Sequence, residues 1–137
     1  MVNELSVNST TENLSLIRDF IKNNAIDVGF NEDSIGKITL AVDEACTNII
    51  KHAYKYEISG QINITVNFSN QKFTVTIVDN GSHFNPAVIP DPDLKIYHQQ
   101  RKTGGLGMFL MKKLMDEVNY ENLEDNRNQV VLVKYLS

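Results

Sequence analysis

The chain has 137 residues, 42% of them apolar, and a formal net charge of −4. That is the size of one domain, roughly 100–200 residues, with enough apolar material for a core that needs no staples. Scattered basic residues and an acidic balance argue against nucleic acid as the main partner. No apolar run reaches the ~18 residues of a membrane span, no leader pattern opens the chain, and the single cysteine, Cys46, suits a reducing cytoplasm without disulfides.

In chain order, residues 2–7 alternate apolar and polar, as a strand with one buried face does. Ser9 or Thr10 offers an N-cap for a first helix reaching about Asp27, with Leu14, Ile17, Ile21 and Val28 on one face, Phe20 beside them, and Gly29 as its end. Asn31 caps a long second helix to Tyr56, and Glu32 and Asp33 favour its positive end. Ile38, Ala41, Ala45 and Ile49 form its core stripe, with Val42 and Ala53 alongside; Cys46 reads as a core residue rather than a reactive thiol. Glu44, Asn48 and His52 lie four residues apart on a second stripe, with Lys51 beside them. Alone, such a stripe is what a solvated helix face looks like.

Gly60 marks a turn. Gln61–Phe68 and Lys72–Val78 alternate with period two around Ser69-Asn70-Gln71, a β-hairpin pattern that runs into Asp79-Asn80-Gly81. Residues 85–103 hold all three prolines and no period, and a loop of that length in a compact domain is functional or disordered. A third helix, Leu106 to Met115, follows. Val118–Leu123 and Gln129–Leu136 complete five strands, with a turn at Asp125–Asn128 between them. The expected architecture is α+β. Three main helices lie on one face of a mixed, mostly antiparallel five-stranded sheet, in one domain over residues 1–137.

Four of the seven glycines fall at Gly81 and at Gly104, Gly105 and Gly107. The latter trio leads into a helix, whose free N–H groups and dipole receive phosphate well. Ordinary nucleotide loops, the G-x-x-x-x-G-K-[ST] and G-x-G-x-x-G patterns, are absent. The ordered set is more specific than its parts. Glu44 and Asn48 stand on a helix, Asp79 and Gly81 follow a strand, and a long loop leads to Gly104-Gly105-Leu106-Gly107. This order resembles the N box and two glycine boxes of the GHKL ATPases, with a Bergerat-type ATP-binding fold. The stretches A-V-D-E-A-C-T-N-I-I-K-H-A-Y (41–54), V-D-N-G-x-x-F-N-P (78–86) and G-G-L-G-M-F-L-M-K-K-L-M-D-E-V (104–118) resemble bacterial anti-sigma factor serine/threonine kinases.

That resemblance implies the following roles. Asn48 would hold Mg²⁺, an ion that takes few protein oxygens and completes its shell with water and phosphate. Glu44 would orient or deprotonate the attacking hydroxyl. Asp79 would accept from the adenine amino group of ATP, and Gly81 would let the base approach. Gly104, Gly105, Leu106 and Gly107 would wrap the phosphates, under a lid of about 86–103. Lys51, His52, Arg101 and Lys102 are candidate phosphate contacts. Thr103 stands where relatives often carry a basic residue, a charge that Arg101 would supply. Asn128 either touches the adenine pocket or only closes a hairpin. His83 and His98 read as surface residues. The implied partners are an anti-anti-sigma (STAS-domain) protein as substrate and a sigma factor, met near the first helix, with Arg18 as a candidate contact. A homodimer is allowed by the resemblance, although nothing in the sequence marks an interface. Three other readings compete with a kinase: a nucleotide-gated partner-binding module without phosphotransfer, the catalytic half of a histidine kinase, and a plain α+β domain.

Overall fold

The computed structural model describes residues 1–82 and 106–137, with side chains omitted for 106–108. The elements are β1 (Val2–Asn8), α1 (Leu14–Val28), α2 (Glu32–Asn48), β2 (Gln61–Ser69), β3 (Lys72–Asp79), α3 (Leu106–Leu114), β4 (Glu117–Leu123) and β5 (Arg127–Tyr135). A short 3₁₀ turn, Thr11–Asn13, precedes α1, and Thr10 Oγ1 accepts from the Glu12 N–H at its start. The sheet order is β1-β2-β3-β5-β4. All four ladders are antiparallel, so among the described residues the sheet has no parallel pair where a mixed one was expected.

One face of the sheet is the core face. Ile62, Ile64 and Val66 of β2 and Phe73, Val75 and Ile77 of β3 are fully buried there, while the intervening Asn63, Asn67 and Lys72 are exposed. This is the hydrophobic-in, polar-out alternation of a sheet covered on one side. The helices cover it. Ile17, Ile21 and Ala25 of α1 and Ile38, Ala41 and Val42 of α2 face inward, and Met111 of α3 joins them. Phe30, between α1 and α2, meets Phe73 edge-to-face at 5.5 Å between ring centroids, which ties the helix pair to β3. Cys46 is fully buried, and burial pushes its thiol well up, so it is a core residue.

Local signals set the boundaries. Gly29 ends α1 in the left-handed region at φ 102°, its N–H returning to Ala25 and Ile26 carbonyls. Asn31 Oδ1 accepts from the Ser34 N–H at 2.9 Å, a cap that contributes about 1 kcal/mol. The β2–β3 loop is two residues, Asn70 and Gln71, both with positive φ, which suits the twist of a tight hairpin.

Two boundaries differ from expectation, and both bear on the site. The second helix does not run uniformly to Tyr56. It keeps α pitch to Asn48, then widens to a π turn over Ile49–Ala53, and Lys55 and Tyr56 leave it with positive φ. Asn128 was expected in a turn, but β5 already includes it, paired with Asp79 on one side and Asn122 on the other.

Candidate functional site

The site forms where α2 gives way to the π turn, against the end of β3. The Tyr54 N–H bonds the Ile49 carbonyl at 3.0 Å, five residues back, closing the wide turn. The Ala53 carbonyl accepts from the Ser82 N–H at 2.7 Å, so the π turn is joined to the turn that follows β3. Gly81 lies against it: a Cβ there would sit 2.7 Å from the Ala53 carbonyl carbon, oxygen and Cβ. The sequence reading assigned Gly81 to approach of a base. In the structure, its missing side chain admits the Ala53 backbone. Gly81→Ala is expected to lower unfolding stability by about 1–3 kcal/mol through overpacking, read by urea denaturation. A stability equal to wild type would show that the turn shifts freely.

Tyr54 secures the same junction. Its hydroxyl accepts from the Asn80 N–H at 2.8 Å and the Gln61 N–H at 3.2 Å, and donates to the Gln61 carbonyl at 2.5 Å. Burial pushes its phenol up, keeping it protonated. Sequence reasoning quoted Tyr54 only as the last letter of a motif. Helical spacing placed it inside the second helix, so periodicity gave no sign of its tie to the start of β2.

Asp79 is buried at the end of β3. Its Oδ1 accepts from the Gly81 N–H at 2.9 Å and from Asn128 Nδ2 at 2.8 Å. Asn128, also buried, directs Nδ2 toward the Gly81 and Ser82 carbonyls at 3.2 Å each. Tyr120, missed by the sequence reading, donates its hydroxyl to Asn128 Oδ1 at 3.1 Å. Asn128 is therefore a buried partner of Asp79, beyond any role in closing a hairpin.

Asn48 is buried on the last α turn. With Asp79 it lines a small cavity completed by Ala45, Ile49, Met111, Tyr120 and Val130. Its lining combines apolar side chains with a few polar ones, the mix found in small-molecule sites. A larger open cleft lies between α1 and α2, lined by Arg18, Lys22, Ile35, Leu40 and Asp43 among others. It shares no residue with the Asn48–Asp79 cavity, and the chemistry-bearing residues point to the smaller one.

Glu44, one turn before Asn48, is half-buried. Burial raises its carboxyl pKa above the ordinary value, the neighbouring Asp43 charge raises it further, and Lys51 opposes both. Asp43 itself is engaged by Arg18 of α1 at 2.7 Å. Lys51 and His52 sit half-buried on the π turn. His52 lies on that wider turn, beyond the α-helical stretch that carries Glu44 and Asn48. Leu106 and Gly107 open α3. Arg101, Lys102, Thr103, Gly104 and Gly105, the expected lid at 86–103, and His83 and His98 lie outside the described residues.

Among the described residues, no group of three or more His, Cys, Asp or Glu could hold a metal ion. A Mg²⁺ ion shared with phosphate does not require such a group. Asn48, whose amide carries a hard oxygen, lines the cavity, and such an ion draws most of its shell from phosphate and water.

The chain is similar to known proteins in sequence and in fold. Residues 7–134 match the histidine kinase-like ATPase domain. The chain is 33% identical to the serine-protein kinase RsbW of Bacillus subtilis (strain 168), covering 98% of this chain and 85% of the relative. It is 33% identical to the RsbW serine-protein kinase of Listeria monocytogenes serovar 1/2a, covering 97% and 86%. In fold it is similar to the crystal structure of the RsbU and RsbW domains of Rv1364c from Mycobacterium tuberculosis. The TM-score there is 0.70 at 14% identity, over 99% of this chain and 32% of that one. The SiaB–SiaC complex structure from Pseudomonas aeruginosa gives a TM-score of 0.63 at 11% identity, over 98% and 89%.

Proposed function

The chain belongs to the histidine kinase-like ATPase family, alongside the RsbW serine-protein kinases, and from that premise we propose that it is an ATP-dependent serine/threonine protein kinase and anti-sigma factor. Its substrate is an anti-anti-sigma protein with a STAS domain, and it sequesters a sigma factor in the cytoplasm. The observation that carries the reading is the meeting of Asn48 and Asp79, 31 positions apart, in one cavity, with Glu44 a turn away on the same rigid helix.

The proposed division of labour follows from the chemistry of each group. Asp79, held by Gly81 and Asn128, accepts from the adenine amino group. Asn48 would hold Mg²⁺, which when bound would supply positive charge against the phosphates. Glu44 takes the proton from the attacking serine or threonine hydroxyl as the phosphorus–oxygen bond to that hydroxyl forms and ADP leaves. Lys51, His52, Arg101 and Lys102 are the proposed contacts to phosphate, with Thr103 and the Gly104–Gly107 backbone around it. Phosphoryl transfer depends on positioning and charge more than on covalent help, so a rigid helix carrying both Glu44 and Asn48 suits it.

A base must be ionised to accept a proton. The raised Glu44 pKa therefore predicts an acid limb in the transfer rate: activity falls as pH drops through a midpoint above the ordinary glutamate value. The residual activity of Glu44→Gln is expected to lack that limb. A wild-type rate independent of pH down to the ordinary range would remove Glu44 from the base role.

The function is tested by incubating the protein with MgATP and a purified STAS-domain protein, then mapping phosphate by mass spectrometry. Phosphoserine or phosphothreonine on the STAS protein is expected. ATP binding with no modified residue would favour a nucleotide-gated binding module instead.

A further inference from the structure

We propose that Tyr120 is a positioning residue for base specificity: through Asn128, it holds Asp79 in the orientation that selects a purine carrying a 6-amino group. The inference rests on the nucleotide reading above and adds a residue from β4, the edge strand opposite β1.

Three acceptors gather at Asn128 Nδ2: Asp79 Oδ1 at 2.8 Å and the Gly81 and Ser82 carbonyls at 3.2 Å. If the amide were turned over, Oδ1 would face a carboxylate and two carbonyls, all acceptors, inside a buried site. The turned amide is therefore unfavourable, and Oδ1 must point the other way. There it meets the Tyr120 hydroxyl at 3.1 Å, which can only donate to it. Tyr120 holds the Asn128 amide by its oxygen while Asp79 takes its nitrogen, and Tyr120 also lines the cavity with Asn48 and Asp79.

Among the described residues, Asp79 Oδ1 accepts from two donors, the Gly81 N–H and the Asn128 amide. The second donor is only as rigid as the bonds that hold Asn128. Buried networks of this kind lose direction when one member is removed. An Asp79 carboxylate that rocks accepts less well from a 6-amino group. A base with hydrogen at position 6 makes no use of that contact and should not register the loss.

The test is equilibrium binding of three probes to wild type and Tyr120→Phe: ATP, purine riboside triphosphate (hydrogen at position 6) and inosine triphosphate (oxygen there). Tyr120→Phe keeps the ring, and a thermal melt checks the fold. ATP is expected to weaken about tenfold, the scale of one hydrogen bond. Purine riboside triphosphate is expected to stay within about twofold, so the preference for ATP over it falls by nearly the same factor. A purely structural role would weaken all three probes together, and that result, or an unchanged ATP affinity, overturns the role of Tyr120 while leaving the ATP site intact. Wild type with no preference for ATP over the 6-hydrogen analogue would overturn the Asp79 reading and this inference with it.

Discussion

Replacing Glu44 by alanine is expected to slow phosphate transfer by about 10²–10⁴-fold, the range a positioned general base contributes, while ATP affinity stays within about twofold. The reasoning starts from place. Glu44 stands on α2 before the pitch changes, one turn from Asn48, and does not line the cavity beside Asp79. Its loss should therefore spare nucleotide binding. Its environment also favours a working base: burial first, then the Asp43 charge, lift its pKa toward the range where a carboxylate both holds and releases protons, and Lys51 limits the shift.

The same shift gives a control on stability. With its pKa raised on folding, Glu44 binds its proton more tightly in the native state than in the unfolded chain. Its contribution to stability is present below the unfolded value and is lost as pH rises through the folded value. At neutral pH it works slightly against folding, with the effect reduced by solvent because the group is only half-buried. Glu44→Ala should thus melt no lower than wild type at pH 7. Loss of transfer accompanied by a melting point several degrees lower would indicate a scaffold role.

Asn48→Ala has the second large effect. Outer-shell partners of a metal typically matter 10–100-fold, and a direct ligand should reach at least the upper end, so Mg²⁺-dependent turnover is expected to drop by about 100-fold or more. Affinity for nucleotide without Mg²⁺ should change little, because Asp79 and Asn128 remain paired. The readout is the gain in ATP affinity on adding Mg²⁺: present in wild type, absent in the variant. The same gain in both would place the metal elsewhere.

Much of this was legible in the sequence because single physical rules govern it. Period-two alternation located the β2–β3 hairpin, and Gly29 and Asn31 marked helix ends through backbone angle and capping. The core stripe from Ile38 to Ile49 followed helical spacing and is buried. The π turn was not legible. Ile49–Ala53 has ordinary helical composition, and what it displays is a tertiary contact, the Ala53 carbonyl taken by the Ser82 N–H. Asn128 and Tyr120 were obscured for a related reason: their roles depend on β5 pairing with β3 at Asp79, 49 positions away from Asn128. Gly81 shows that a motif glycine can have a structural cause, since the close approach of Ala53 requires its missing side chain.

In the proposed reaction, Glu44 and the Asn48–Asp79 cavity together move phosphate from ATP to a protein hydroxyl. The most direct measurement adds the protein and γ-labelled ATP to a lysate of its own host, beside a Glu44→Ala control, and follows the label through acid. An acid-stable label on a small protein, absent with the variant, is the predicted result. An acid-labile label, or an equal acid-stable label with Glu44→Ala, would contradict it.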